Sequence, residues 1–189
     1  MATQALLVMD VQNSIVERYS GASSGSGALL DNLAAAAVAA RKASVPVIYV
    51  RVAFREGTPE ISPRNRIFSA LAGWGGMGEA DPSTRVHSAV EPQPGDVVVT
   101  KKRVSAFAGS DLEMVLRSLG VDSLVLTGIA TSGVVLSTLR QAADLDYELT
   151  VLRDGCADRD AEVHRVLLDK VFPRQAAVLT TAEWIAQLP

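Results

Sequence analysis

Six short apolar runs punctuate this chain, at residues 5–9, 46–52, 96–100, 123–127, 148–152 and 176–179, each bounded by polar, proline or glycine positions. Runs such as Leu6-Leu7-Val8-Met9 and Leu124-Val125-Leu126 lack apolar–polar alternation, so they read as strands buried on both faces. Between and after them, residues 29–42, 110–119, 133–145, 161–171 and 182–187 have helical character. Strands alternating with helices specify a parallel sheet with helices on both of its faces, a three-layer α/β/α arrangement. Local punctuation agrees: Ser110 and Glu113 have capping-box spacing, Gly120 is a C-terminal stop, and Asp160 and Thr181 precede the last two helices as caps.

Residues 55–94 break the alternation. They collect Pro59, Pro63, Pro82, Pro92 and Pro94 with the cluster Gly73-Trp74-Gly75-Gly76. An excursion of this length in an α/β domain either lines a functional site or forms a subunit contact, and the pattern leaves both open. Ser20 to Gly27 is a Gly/Ser patch before the first helix; it lacks the Lys-Ser/Thr ending of a phosphate-binding loop and reads as a mobile connection.

Length and composition narrow the classes. A chain of 189 residues suits one domain, 1–189, that buries its core without disulfide or metal staples. A net charge of −3 supplies no basic field for nucleic acid. The longest apolar stretch, residues 33–40, is Ala-rich and too short for a bilayer, and no basic leader precedes residues 5–9, so a cytoplasmic protein with no membrane partner is expected. The single cysteine, Cys156, excludes an intrachain disulfide and a multi-cysteine zinc site.

In open parallel sheets, ligands bind beyond the carboxyl ends of the strands, so the polar residues there come first. Asp10 follows the first run, Lys101 the third, and Gly128-Ile129-Ala130-Thr131-Ser132-Gly133 the fourth. Taken singly, the aspartate reads as a helix cap and the lysine as a solvated side chain.

Taken together, Val8-Met9-Asp10-Val11-Gln12-Asn13, Val98-Val99-Thr100-Lys101-Lys102-Arg103-Val104-Ser105-Ala106-Phe107 and Gly128-Ile129-Ala130-Thr131-Ser132-Gly133-Val134-Val135 resemble, in order and separation, the isochorismatase-like hydrolases, also called cysteine hydrolases. The resemblance spans nearly the whole chain. It implies a six-stranded parallel sheet, assembly as a homodimer or homotetramer, an acid/base role for Asp10 and a catalytic role for Lys101, with Lys102 facing solvent. It also implies a non-proline cis peptide at Ile129–Ala130 and an oxyanion site built from the backbone of Ile129, Ala130, Gly133 and Val134.

Val134 departs from the pattern. The cysteine hydrolases place their nucleophilic cysteine there, and a valine has neither a lone pair nor an ionisable proton, so a covalent thiol route is closed. Ser132, Ser137 and Thr138 are nearby hydroxyls without an evident base, and Cys156 lies after the fifth run. Isochorismatases proper also lack the cysteine and protonate a vinyl ether through the aspartate, after which water adds; Asp10 with Lys101 suits that class of reaction. The tyrosine and histidine those enzymes carry are replaced here by Ala130 and Thr131, which argues against isochorismate itself. A silent ligand-binding or oligomer-forming relative is the alternative. His87 and His164 have no ligand spacing, so no metal and no other cofactor is expected. Gln12, Asn13, Phe107, Trp74 and Arg64 or Arg66 are candidates to face substrate, the arginines for a carboxylate.

Overall fold

In the computed structural model, residues 3–19, 26–72 and 75–189 are described. The strands are β1 (Gln4–Met9), β2 (Val47–Val52), β3 (Val97–Lys101), β4 (Ser123–Ile129), β5 (Glu148–Ala157) and β6 (Ala177–Leu179). All pair in parallel in the order β3-β2-β1-β4-β5-β6. The helices are α1 (Asn13–Tyr19), α2 (Ser26–Lys42), α3 (Arg66–Ala72), α4 (Leu112–Ser118), α5 (Leu136–Asp144), α6 (Ala161–Val166) and α7 (Thr181–Ile185).

The sheet is apolar on both faces because its central strands carry unbroken apolar runs, Ala5 to Met9 in β1 and Leu124 to Leu126 in β4. Ala5, Leu7 and Met9 of β1 join Leu124 and Leu126 of β4 in one core, closed by Leu112 and Leu116 of α4 and Leu139 and Ala142 of α5. Leu6 and Val8 point the other way with Val125, and there Leu33, Ala36, Ala37 and Ala40 of α2 and Trp184 of α7 cover them. Successive strand side chains alternate faces, so one uninterrupted run feeds both cores. Truncating a residue such as Leu33, 1% exposed, to alanine costs about 2–5 kcal/mol.

Some local expectations shift by a residue or fail. Asp111, not Ser110, is the N-cap of α4 and makes no side-chain cap bond. The Ser110 hydroxyl instead donates to the Ala106 carbonyl at 2.6 Å, while Glu113 pairs with Arg117, so the capping box does not form. A true box caps α7, where Thr180 rather than Thr181 reciprocates with Glu183. Asp160 caps α6 through the N–H groups of Glu162 and Val163. Strand β5 continues to Ala157, five residues beyond the apolar run that announces it, by re-registering against β4 after Leu126.

The excursion between β2 and β3 carries α3 and a small core of its own, with Val52, Phe54, Phe68 and Met77 buried together. Residues 20–25 of the Gly/Ser patch lie outside the described residues, and Ser26 and Gly27 open α2.

Candidate active site

Strand β1 pairs with β2 on one side and β4 on the other, and chain order runs outward from it in both directions. That reversal opens a crevice at the carboxyl ends of β1 and β4. Gly128 brings the strands together there: its φ is 134°, and a Cβ on it would sit 2.0 Å from the Met9 carbonyl oxygen. No other residue fits at that position.

A cavity of about 250 Å³ opens at this point. Its wall includes Asp10, Lys101, Ile129, Ala130, Gly133 and Val134, together with Ile15, Arg18, Tyr19, Val52, Ile67, Phe68, Val104 and Arg159.

Asp10 leaves β1 with a left-handed backbone (φ 56°), fixed by its N–H donating to the Val50 carbonyl at 2.8 Å. Its Oδ2 lies 2.9 Å from Lys101 Nζ, and both side chains are buried, at 9% and 2% exposed. The ammonium spends its other two donors on the carbonyls of Arg103 and Val104, each at 2.9 Å, so it is fully engaged and aimed at Asp10. Asp10 Oδ1 is buried and makes no hydrogen bond among the described residues. Burial raises the Asp10 carboxyl above its ordinary range, and the charge and hydrogen bond of Lys101 oppose the rise without cancelling it.

The opposite wall is main chain. The Ile129–Ala130 peptide is cis, as the resemblance implies, and residues 131–135 form a single wide π turn. Its amides are partly committed. Ser132 N–H donates to Asp158 Oδ2 at 2.7 Å, and those of Gly133 and Val135 converge on the Ala130 carbonyl at 3.1 and 3.2 Å. Gly133 therefore lines the cavity without a free donor, which corrects the expectation that its N–H faces the ligand. Val134 is 2% exposed and packs into the first core while closing the cavity floor. Thr131 is buried, its hydroxyl 2.8 Å from His164 Nδ1, which ties the turn to α6. Burial lowers the His164 pKa, so its imidazole favours the neutral form.

Other candidates lie elsewhere. Gln12 is buried as a brace: its amide donates to the carbonyls of Val52 and Thr84 at 3.0 and 2.9 Å and accepts from Val52 N–H at 2.8 Å. The Asn13 side chain donates to the Pro82 carbonyl at 3.0 Å. Phe107 packs against Tyr147, ring centres 6.0 Å apart, and does not line the cavity. Arg64 and Arg66 are exposed and do not line it. Trp74 lies outside the described residues. Lys102 does not face solvent: its side chain is 13% exposed and its ammonium donates to the Ala53 carbonyl at 2.6 Å and to Glu79. Thr138 is buried, with its hydroxyl accepting from Ala106 N–H at 2.9 Å, and neither Ser132 nor Ser137 reaches the cavity. Cys156 is paired to Gly128 in register, and burial pushes its thiol up to about 12, which makes it unreactive at neutral pH. Among the described residues, no three His, Cys, Asp or Glu side chains cluster as metal ligands, and no helix is long and apolar enough to cross a membrane.

The sequence reading missed Ile15, Arg18, Tyr19, Ile67, Phe68 and Arg159 as cavity residues. Arg159 was out of its reach, because the fifth apolar run ends at residue 152 whereas β5 continues to Ala157.

Comparison with known proteins agrees with this geometry. The isochorismatase domain family matches residues 4–183. The isochorismatase family protein YwoC of Bacillus subtilis is 34% identical over 186 residues, 97% of this chain and 93% of that protein. Ureidoacrylate amidohydrolase RutB of Methylobacterium radiotolerans is 33% identical over 189 residues, 90% of this chain and 73% of that protein. The crystal structure of a cysteine hydrolase from Pseudomonas syringae pv. phaseolicola superposes with a TM-score of 0.87 at 27% identity, covering 98% of this chain and 92% of that one. The fold, the strand-end crevice and these matches agree that the chain belongs to the isochorismatase family of hydrolases.

Proposed function

We propose that this protein hydrolyses a small organic molecule without a cysteine nucleophile, with Asp10 as the acid/base group, Lys101 as its charge partner and the backbone at Ile129, Ala130 and Val134 as the site for developing negative charge. One observation carries the reading: Asp10 Oδ1 is buried and unpartnered on the wall of a cavity whose floor, at Val134, is hydrocarbon. A carboxyl group held above its ordinary pKa by burial carries a proton at higher pH than a free aspartate, as general acid work requires. On a vinyl ether, Asp10 delivers that proton to the terminal carbon, and water adds to the oxocarbenium carbon so formed. The hemiketal then collapses to a ketone and an alcohol, and Asp10 recovers a proton. The ammonium of Lys101 stabilises the carboxylate between the two transfers. On an amide or ester the same pair activates water directly, with no acyl-enzyme.

The same reading takes residues 1–189 as one cytoplasmic domain, assembled as a homodimer or homotetramer, with no metal or cofactor and no nucleic-acid or membrane partner. A second reading has its own support: Val134 packs into the core, as it would in a silent ligand-binding or oligomer-forming relative.

A screen of vinyl ethers, amides and esters separates the two. Amides are included because similar proteins are named amidohydrolases. Turnover abolished by Asp10→Asn supports the hydrolase, whereas tight binding with no turnover supports the silent relative. Val134→Cys tests the placement of the site. With burial pushing the Cys156 thiol up to about 12, a thiol introduced at 134 on the cavity wall should alkylate faster than Cys156, read by mass of the labelled peptides. An inert residue 134 would tell against the assignment.

A further inference from the structure

Two side chains from the segment after β5 hold the first two residues of the π turn at 131–135. Asp158 Oδ2 accepts from the Ser132 N–H at 2.7 Å, and His164 of α6 places Nδ1 2.8 Å from the Thr131 hydroxyl. Single π turns are rare and concentrate at functional sites. Thr131 is fully buried and follows Ala130 directly, and Ile129, Ala130, Gly133 and Val134 all line the cavity. Whatever fixes Thr131 therefore fixes the main chain that faces the cavity.

The Thr131–His164 bond has a direction. The Thr131 hydroxyl has no exposed surface, so its proton needs an acceptor inside the protein, and the bare Nδ1 of a neutral imidazole supplies one. That assignment puts the ring's own proton on Nε2. The surroundings favour the neutral ring: burial, the largest influence, lowers the His164 pKa, and Arg153 acts the same way against Asp158 and Asp169. His164 is half-buried and borders a second pocket of about 300 Å³, with Arg153, Asp154, Arg165 and Asp169, so the ring spans from that pocket to the turn. Helix α6 itself contributes no residue to either core, and Asp160 already caps it. Its tie to the turn is thus polar rather than a packing contact.

We propose that His164 is a positioning residue for this site: with Nδ1 accepting from the Thr131 hydroxyl, it holds residues 129–134 in the shape that meets the substrate. The assignment rests on the reading of that main chain as the site for developing negative charge.

The bond itself is read by 15N NMR of the whole chain labelled at histidine, which carries only His87 and His164; the His164→Asn spectrum assigns the signals. At pH 7.5, His164 should be neutral with its proton on Nε2, and Thr131→Val should shift the Nδ1 signal. A proton on Nδ1, or a signal indifferent to Thr131→Val, overturns the proposal. With an amide or ester from the screen, His164→Ala and Thr131→Val should each lower kcat by about tenfold and leave KM within about twofold. His164→Asn, whose carbonyl oxygen takes the place of Nδ1, and Thr131→Ser should restore most of the rate. The double variant His164→Ala/Thr131→Val should lose no more than either single one. A loss carried by KM, equal losses in His164→Ala and His164→Asn, or losses that add overturns the assignment.

A readout without turnover uses the thiol that Val134→Cys introduces. Residue 134 is 2% exposed, so alkylation there proceeds through local opening, and adding His164→Ala should speed it at least about threefold, with His164→Asn close to the parent. No change in that rate counts against the proposal. The outcomes also separate it from the hydrolase reading. His164-dependent alkylation in a protein that turns over nothing would sink the reaction alone, and an Asp10-dependent hydrolase indifferent to His164 would sink the positioning role alone.

Discussion

Two adjacent lysines at the end of β3 settle in different surroundings. Lys101 points to the cavity, where Asp10 and two carbonyls take all three of its protons. Lys102 reaches the Ala53 carbonyl and Glu79, with Glu60 3.9 Å away and the Phe54 ring centre at 6.0 Å. Both ammonium groups are well supplied with acceptors; the carboxylates differ. Glu79 is 49% exposed and shares its charge with water, whereas Asp10 is 9% exposed and keeps one oxygen unbonded. The Lys102–Glu79 pair fastens the excursion to the sheet. The Lys101–Asp10 pair holds a buried charge balance on a cavity wall, which is the condition for proton chemistry rather than for stability.

The contrast can be broken at its carboxylates. With a substrate from the screen, Asp10→Asn should lower kcat by about 10²–10⁴-fold, while Glu79→Gln should stay within about twofold of the parent. Similar losses at both would mean that the cavity pair has no special part in turnover.

Removing the lysines should separate the two sites in stability. Lys101→Met leaves Asp10 facing two carbonyls without its cation and should cost about 3–5 kcal/mol in urea unfolding. Lys102→Met, beside a half-exposed partner, should cost about 1 kcal/mol or less.

The gentlest test is the pH profile of kcat/KM. Asp10 is protonated below its pKa, which burial raises, so activity that uses the acid form is present at low pH and falls as pH climbs through a midpoint above the ordinary carboxylate value. Lys101→Met removes the opposing charge and should move the fall to still higher pH, and Lys102→Met should leave it in place. A rate that instead rises through this range would assign the carboxylate form, and general base chemistry, to Asp10.

The sheet was legible because its strands announce themselves locally: a run such as Leu6-Leu7-Val8-Met9 has only one way to bury both faces. Helices α1 and α3 were not. Asn13–Tyr19 buries only Val16, too little to impose a helical period, and Arg66–Ala72 sits among prolines that mask it. The tail of β5 was hidden because Arg153, Asp154 and Gly155 interrupt the apolar signal, while tertiary pairing with β4 carries the strand through. The site divided along the same line. Asp10, Lys101 and the 129–134 turn were found because strand ends are readable, whereas Tyr19 and Phe68 reach the cavity from the elements that sequence did not reveal. Gln12 and Phe107 were misassigned because a buried amide that braces loops and a buried ring that fills a core look the same in sequence as groups that face a ligand.

The protonated, enclosed Cys156 has a consequence beyond catalysis. Peroxides and alkylating agents attack thiolates, and the sole sulfhydryl of this chain stays in its unreactive form far above neutral pH. With valine at the cavity floor, nothing at the working end can be capped as a sulfenic acid or a mixed disulfide, so the protein's chemistry is uncoupled from the oxidant load of its surroundings.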